Sequence, residues 1–440
     1  MQKFTAIVLA AGKGVRMKSQ LPKVLQELMG KPLIYYVLRE LFRSKRYIKQ
    51  IVVVLGHAGE KVEKTIKSEF STGQIKAAKL SFVYQTKLLG TADAVKAAAK
   101  KVKCENTLVI CGDTPLITSR ILSSFISFFL NKKLSSGVLT ADIKEKNSLG
   151  LIVRDQDGRL SAIREKLSVT DYLSGPKSLE VNSGIYCFNK KVLLRNLPEI
   201  KMNKKKKEYF LTDIIEILYK QGQAQDSYFI DDGKNILGIN SPKDLLGAQK
   251  VLQARIIERL IEQGVRVLDP VTTFIQEGVK VGKNTLIYPF TFIEKDVIIG
   301  SNCFLGPFIH IRKDSKIKDN SQLGNFLEIN RSCIGKNARI KHFGYLGDAV
   351  IADNVNIGAG TVTANYDGKA KHKTQIKQGA FVGSDTIFVA PVKVGRLSTT
   401  GAGSVVTKDV KDKTVVVGVP AKLLKKKPIR RQAEKEEKHE

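Results

Sequence analysis

The chain has 440 residues, enough for two or three domains that each bury a core, and its 42% hydrophobic and 26% charged residues match a globular protein. A formal net charge of +32, from 74 basic and 42 acidic residues, points to anionic partners. No apolar run reaches the roughly 20 residues of a membrane span, and the five cysteines include no CxxC pair, so neither a zinc site nor a disulfide framework is expected.

Phe4–Leu9 reads as a buried strand running into the glycine loop Ala10–Arg16. Its apolar core, Ala6–Ala11, is too short for a secretion signal, so the expected location is the cytoplasm. Ile34–Phe42 is helical, Ile51–Leu55 a strand, Gly59–Phe70 a helix and Leu80–Gln85 a strand. Thr91–Lys100 is helical, and Leu108–Cys111 is a strand leading into Gly112-Asp113-Thr114-Pro115. Strands alternating with helices predict a Rossmann-like, doubly wound α/β sheet over residues 1–240. Ligands of such sheets sit beyond the carboxyl ends of strands, where Ala10–Arg16 and Asp113 fall.

Ser241-Pro242 opens a helix, and Gly264 ends it, so 241–264 reads as a linker. Its predicted apolar face is Leu245, Leu246, Val251, Leu252, Ile256, Leu260 and Ile261. From Ile275 to Ile329 every sixth residue is a large aliphatic. That period fits neither an α-helix nor a flat strand; it fits a parallel β-helix with three six-residue faces per coil. Gly282, Gly300, Gly306 and Gly324 each follow a hexad residue, where the chain is expected to turn. The pattern slips by one residue between Ile329 and Ile334, then is broken by a polar insertion from Ala364 to Thr374. Projecting loops on solenoids tend to carry function, and this one offers Lys369, Lys371 and Lys373 to an anion. The prism is predicted over 265–420, and 421–440 as a basic tail without stable structure.

Three groups of residues carry chemistry. The first is Ala10-Ala11-Gly12-Lys13-Gly14-Val15-Arg16-Met17 followed by Pro22-Lys23. Glycines let the backbone approach phosphates closely, while Arg16 and Lys23 supply charge for a triphosphate. The second is Asp113, at a strand end, where a hard divalent ion on a triphosphate needs only one or two protein oxygens. The third runs from Arg339 to Asp348, then Asn354–Thr361 and Asn365–Gly368, around His342. The lysine runs Lys204–Lys207 and Lys425–Lys427 lack interleaved aromatics, so small phosphorylated substrates rather than nucleic acid are the expected anions.

The first string resembles the signature of nucleoside-diphosphate-sugar pyrophosphorylases. The whole chain resembles the GlmU family, which joins N-acetylglucosamine-1-phosphate uridylyltransferase to glucosamine-1-phosphate acetyltransferase. The resemblance implies a left-handed β-helix and a homotrimer. It implies UTP and N-acetylglucosamine 1-phosphate as substrates of the front half, with Mg²⁺ on Asp113 and Asn240. Leu9, Ala10, Ala11, Gly12, Lys23, Gln85, Gly90 and Thr91 match nucleotide-binding positions, with Lys23 and Arg16 catalytic. Gly150, Glu165, Asn182 and Asn240 match sugar-binding positions, although Leu151 and Leu167–Val169 depart from close relatives.

For the rear half it implies acetyl-CoA and glucosamine 1-phosphate, with His342 as general base. Arg312, Asn330, Tyr345, Asn356 and Lys371 match sugar-phosphate positions; Ala359, Asn365, Tyr366, Ser384 and Ala402 match the coenzyme groove. Asn330 stands where close relatives place a lysine, and Gly418 where some place an arginine. The Arg331 side chain, next to Asn330 in the strand, is expected on the opposite face. Two other readings stay open: a single-activity nucleotidylyltransferase whose β-helix only oligomerises, and a non-catalytic regulatory subunit of the same architecture.

Overall fold

A computed structural model describes residues 2–143, 149–164 and 179–426. Glu165 and Leu167–Val169 lie outside the described residues, as does 427–440. The chain divides into two compact units, Met1–Val251 and Leu252–Glu440. The cut falls inside the helix Pro242–Glu262, the linker expected from the sequence. Among the described residues no helix is long and apolar enough to cross a membrane.

The first unit is built on a mixed sheet. Its strands lie side by side in the order Gln225–Ile230, Ser136–Ile143, Leu179–Asn189, Asn106–Cys111, Phe4–Ala10, Ile48–Leu55, Ser81–Tyr84. Phe4–Ala10 runs parallel to both neighbours, with Ala6 opposite Ile51 on one side and Leu108 on the other. Leu179–Asn189 runs antiparallel to both of its neighbours. The strand Phe4–Ala10 is apolar almost throughout because both faces are covered. Ala6 and Val8 enter one core and Ile7 the other. The chain first works outward from Phe4–Ala10 through Ile48–Leu55 to Ser81–Tyr84, then returns to Asn106–Cys111 on the other side. The gap beyond Ala10 and Cys111 is therefore the topological switch point, where doubly wound sheets take ligands.

The linker helix begins on a reciprocal cap. Ser241 Oγ accepts from the Asp244 N–H at 3.3 Å, and Asp244 Oδ2 accepts from the Ser241 N–H at 2.9 Å. Its buried row is Leu252, Ile256 and Leu260 at i, i+4 spacing, with Ile257 beside it. Leu246 and Ile261, expected on that face, are 54% and 48% exposed. Ile261 follows Leu260 by one position, which turns it about 100° around the axis and out of the row.

The second unit is a triangular prism of three sheets with ten, eight and seven strands, parallel throughout except for the last strand of the ten-stranded sheet. Every hexad residue from Ile275 to Ile329 is buried, as are Ile334, Ile340, Leu346, Ile351, Ile357, Ile376, Val382, Phe388 and Val394. Ile275, Ile293, Ile311 and Ile329 stack in register, one per coil. The slip seen in the sequence is a shortened corner: Ile329 pairs with Leu346 and Ile317 with Ile334, one residue closer than in the coils before.

The glycines after hexad residues do not all serve a turn. Gly306 has left-handed φ (+90°), but at Gly282, Gly300 and Gly324 a Cβ would instead meet the backbone of the next coil. Coils stacked at the spacing of hydrogen-bonded strands leave no room there. The prism also extends past its expected end. Lys422–Lys426 pairs antiparallel with Thr414–Val417, so 421–426 is not part of an unstructured tail.

Candidate active sites

At the switch point of the first sheet, four side chains from three distant segments converge. Arg16 follows the glycine loop, Lys23 opens a short 3₁₀ turn, Asp113 follows the strand Asn106–Cys111, and Asn240 precedes the linker helix. Asn240 Oδ1 accepts from Arg16 Nη2 at 2.8 Å and from Lys23 Nζ at 2.8 Å. Lys23 also pairs directly with Asp113. The backbone fixes this geometry: the Ile239 N–H donates to the Asp113 carbonyl at 2.9 Å, and the Asn240 N–H to Asp244 at 2.9 Å. Asp113 and Asn240 thus turn oxygens toward one cation, the Lys23 ammonium. That donor set, one carboxylate and one amide oxygen beside two basic groups, suits a hard divalent ion that keeps its waters and phosphate ligands. Burial pushes the neighbouring Cys111 thiol up to about 12, and the Asp113 carboxylate adds to the shift, so it plays no nucleophilic part.

Gln85 lies further along the same edge of the sheet, its N–H bonded to the Leu55 carbonyl at 2.7 Å. Its side-chain nitrogen donates to Asp93 at 2.7 Å and to the Gly90 carbonyl at 3.3 Å. This commits the amide nitrogen and leaves the amide oxygen for a ligand N–H. Thr91 Oγ accepts from the Leu211 N–H at 2.9 Å and ties the loop to the next segment. Gly150 accepts from the Asn182 N–H at 2.8 Å, so these two sugar-site candidates are neighbours. The Asn182 side chain is turned inward, donating to Tyr186 and accepting from the Gly184 N–H, which holds a bulge in its strand.

In the prism most of the candidates occupy two corners, while Asn356 and Tyr345 lie within strands. His342, Ala359, Ser384 and Ala402 each follow a strand of the ten-stranded sheet and precede one of the eight-stranded sheet, one per coil. Hydrogen bonds between coils tie this column: Gly360 to Phe343 at 2.8 Å, Asp385 to Ala359 at 2.6 Å, Gly403 to Ser384 at 2.8 Å. His342 is exposed there. Asn356 lies in the ten-stranded sheet itself. Arg312, Asn330 and Asn365 end strands of the eight-stranded sheet at the next corner, and Lys371 lies on the insertion beside it.

That insertion is a tight hairpin. Tyr366 bridges Lys371, His372 donates from its backbone to Asn365 at 2.8 Å, and Asp367 accepts from His372 Nε2 at 2.7 Å. The Ala370 N–H, then His372 and the Lys369 N–H, hold the Asp367 carboxyl well below the usual range. Asn365 is buried and donates to Asp348 at 2.5 Å, while Tyr366 is 60% exposed at the tip. Tyr345 lies across Gly347: a Cβ on that glycine would collide with the Tyr345 hydroxyl and approach Asn365 Nδ2 to 2.6 Å.

Residues 5–252 match the family model for nucleotidyl transferases, and residues 278–313 match bacterial transferase hexapeptide repeats. The protein called bifunctional protein GlmU from Carboxydothermus hydrogenoformans is 36% identical over 93% of this chain and 96% of its own. The one from Lactococcus lactis is 37% identical over 95% and 96%. The crystal structure of UDP-glucose pyrophosphorylase complexed with UDP-glucose covers 58% of this chain and 100% of its own, at 20% identity and a TM-score of 0.46.

The chain belongs to the GlmU family. It is a bifunctional transferase, with a Rossmann-like nucleotidyltransferase unit followed by a left-handed β-helix of hexapeptide repeats. Its two activities are those of a sugar-1-phosphate uridylyltransferase and a glucosamine-1-phosphate N-acetyltransferase. The readings as a single-activity enzyme or a regulatory subunit give way to that match over nearly the full length.

Against the GlmU signature, the front residues Arg16, Lys23, Asp113 and Asn240 meet in one place, whereas the rear residues divide between two corners of one prism. Gly418 takes φ +93°, a backbone an arginine adopts only at a cost. Arg331 differs from expectation. It lies beyond the strand, at the shortened corner with φ +48°, and its side chain turns back onto Asn330 instead of away from it. Sequence reasoning missed Asp93, and it gave no role to Gly347 and Asp348 although both lie in the stretch around His342. Asp93 could have been found from its place in the first turn of the Thr91–Ala98 helix, facing the end of the Gln85 strand. Within that stretch nothing in the sequence sets Gly347 and Asp348 apart as contacts of Tyr345 and Arg331.

Proposed function

We propose that the front site transfers UMP from UTP to N-acetylglucosamine 1-phosphate with Mg²⁺ held by Asp113 and Asn240. The observation that carries this reading is the meeting of Arg16, Lys23, Asp113 and Asn240 at the switch point. The sugar phosphate oxygen attacks the α-phosphorus in line, and pyrophosphate leaves. When bound, Mg²⁺ would neutralise phosphate charge as a Lewis acid. Lys23 and Arg16 hold the triphosphate through charge-assisted hydrogen bonds. Gln85 and Gly90–Thr91 take the base, with the Gln85 oxygen as acceptor; Gly150 and Asn182 shape the sugar pocket, Asn182 by holding its strand.

The rear site acetylates glucosamine 1-phosphate from acetyl-CoA, and its product feeds the front site. His342 takes the amine proton as nitrogen attacks the thioester carbonyl, and the coenzyme thiolate leaves. Arg312, Asn330, Tyr345, Asn356 and Lys371 hold the sugar phosphate. Ala359, Asn365, Tyr366, Ser384 and Ala402 line the coenzyme groove. Because these residues occupy different corners of one prism, a second copy laid against the first supports a complete groove, and a homotrimer closes the arrangement. The cytoplasm, which supplies UTP and acetyl-CoA, is the proposed location.

The test is a magnesium titration of UTP-dependent pyrophosphate release on the purified protein. Saturable activation is expected, together with loss of that activation in Asn240→Ala. Full activity in chelator would refute the metal assignment.

A further inference from the structure

One corner of the prism carries a column of residues in left-handed backbone, one per coil: Gly278, Asp296, Asp314, Arg331 and Asp348. Glycine and aspartate reach that conformation readily; arginine does not, and a side chain held there is fixed by its surroundings. At Arg331 the surroundings are a complete set of acceptors. Nε and Nη2 fork onto the two Asp348 oxygens at 2.7 Å each, and Nη1 donates to Asn330 Oδ1 at 2.9 Å. The shortened corner brings this about, because it places Arg331 directly over Asp348 in the next coil.

Asn330 is 6% exposed, and its oxygen is committed to Arg331. Among the described residues its Nδ2 finds no acceptor. With its oxygen fixed on Arg331 and its nitrogen reaching the surface, this amide can donate to a ligand oxygen. Asp348 carries the same restraint onward, since its Oδ2 also accepts from Asn365 Nδ2 at 2.5 Å. Arg312, on the neighbouring coil, donates from its backbone to Ile329 at 2.8 Å, and its guanidinium pairs with Glu328 at 2.9 Å.

We propose that Arg331 is a positioning residue of the acetyl-transfer site: it fixes the Asn330 amide so that Nδ2 donates to the phosphate of glucosamine 1-phosphate, in place of a lysine ammonium, and through Asp348 it sets Asn365. The inference rests on the acetyl-transfer reading and adds a device to it. A neutral donor pre-set by a fork loses little side-chain entropy on binding, whereas a lysine must immobilise a flexible stem.

The test is a double-mutant cycle of Arg331→Met and Asn330→Ala, reading KM and kcat for glucosamine 1-phosphate. Arg331→Met is expected to raise KM roughly tenfold, the size of one lost hydrogen bond to an anion, with kcat within about threefold. In the Asn330→Ala background the same change should raise KM by less than about twofold, because the donor it orients is gone. Arg331→Lys keeps the charge but not the fork and should behave like Arg331→Met; it carries the test if the methionine variant loses its β-sheet circular dichroism. An unchanged KM, multiplicative penalties in the double variant, or full rescue by lysine would each overturn the proposal. Wild-type protein that fails to acetylate at all would defeat the underlying reading instead.

Discussion

Lys23 reaches across to Asn240, donating to its side-chain oxygen at 2.8 Å although 217 positions separate them in the chain. The same ammonium pairs with Asp113. The front site is thus held together by a cation shared between two oxygens. Asp113 and Asn240 are the oxygens that would hold a divalent ion, and Lys23 is the cation that would meet phosphate.

Asp113→Ala should reduce UTP-dependent pyrophosphate release by about a thousandfold or more, the rate equivalent of several kcal/mol of charge stabilisation. Acetylation should continue at the wild-type rate. Pyrophosphate and free coenzyme thiol, assayed separately on one preparation, distinguish a lost site from a misfolded chain.

His342→Ala should have the opposite signature. Loss of a general base lowers kcat for acetylation by about 10²–10⁴-fold, with uridylyl transfer unchanged. Acetylation at the wild-type rate would remove His342 from the mechanism.

Gly347→Ala tests the packing beneath Tyr345. The new methyl group would meet the Tyr345 hydroxyl and Asn365 Nδ2, so displacement of both side chains is expected. We expect a loss of stability on the order of 1–3 kcal/mol, seen as a lower melting temperature. KM should rise for acetyl-CoA and for glucosamine 1-phosphate, and neither substrate of the front site should be affected.

The pH response of the corner follows from Asp348. Hydrogen bonds from Arg331 hold its carboxyl below the usual range against the opposing effect of burial, and Asn365 and the charge of Lys371 add to the lowering. A depressed folded pKa contributes stability at pH above the unfolded value of about 3.9, and that contribution is lost as pH falls through the lower folded value. KM for glucosamine 1-phosphate should therefore show no inflection from Asp348 between pH 5 and 8. Asp348→Asn should raise KM without moving the acid limb of the acetylation profile.

Much of this was readable in the residues. Every aliphatic on the hexads is buried in the prism because a period of six admits few alternatives, although Ile309, Leu327 and Val392 are buried off the hexads, and the one-residue slip at Ile329 marked the shortened corner. The front candidates were readable because Gly12 and Asp113 sit just past strand ends, where topology concentrates ligands, and Lys23 follows the same glycine loop. The role of Arg331 was not readable. Strand alternation sends it away from Asn330, and only the left-handed corner, set by stacking on Asp348, turns it back. The burial of the linker helix was misjudged at Leu246 and Ile261 because apolar residues lie on more than one side of it and the packing partner decides which side is covered.

The central claim is that one chain holds two independent sites, and a single coupled assay tests it most directly. Purified protein is given UTP, acetyl-CoA, glucosamine 1-phosphate and magnesium, and acetylated amino sugar phosphate, UDP-sugar and pyrophosphate are quantified over time. The acetylated intermediate should appear first, followed by UDP-N-acetylglucosamine and pyrophosphate in equal amounts. Formation of pyrophosphate only when N-acetylglucosamine 1-phosphate is supplied ready-made, with no coenzyme thiol released, would contradict it.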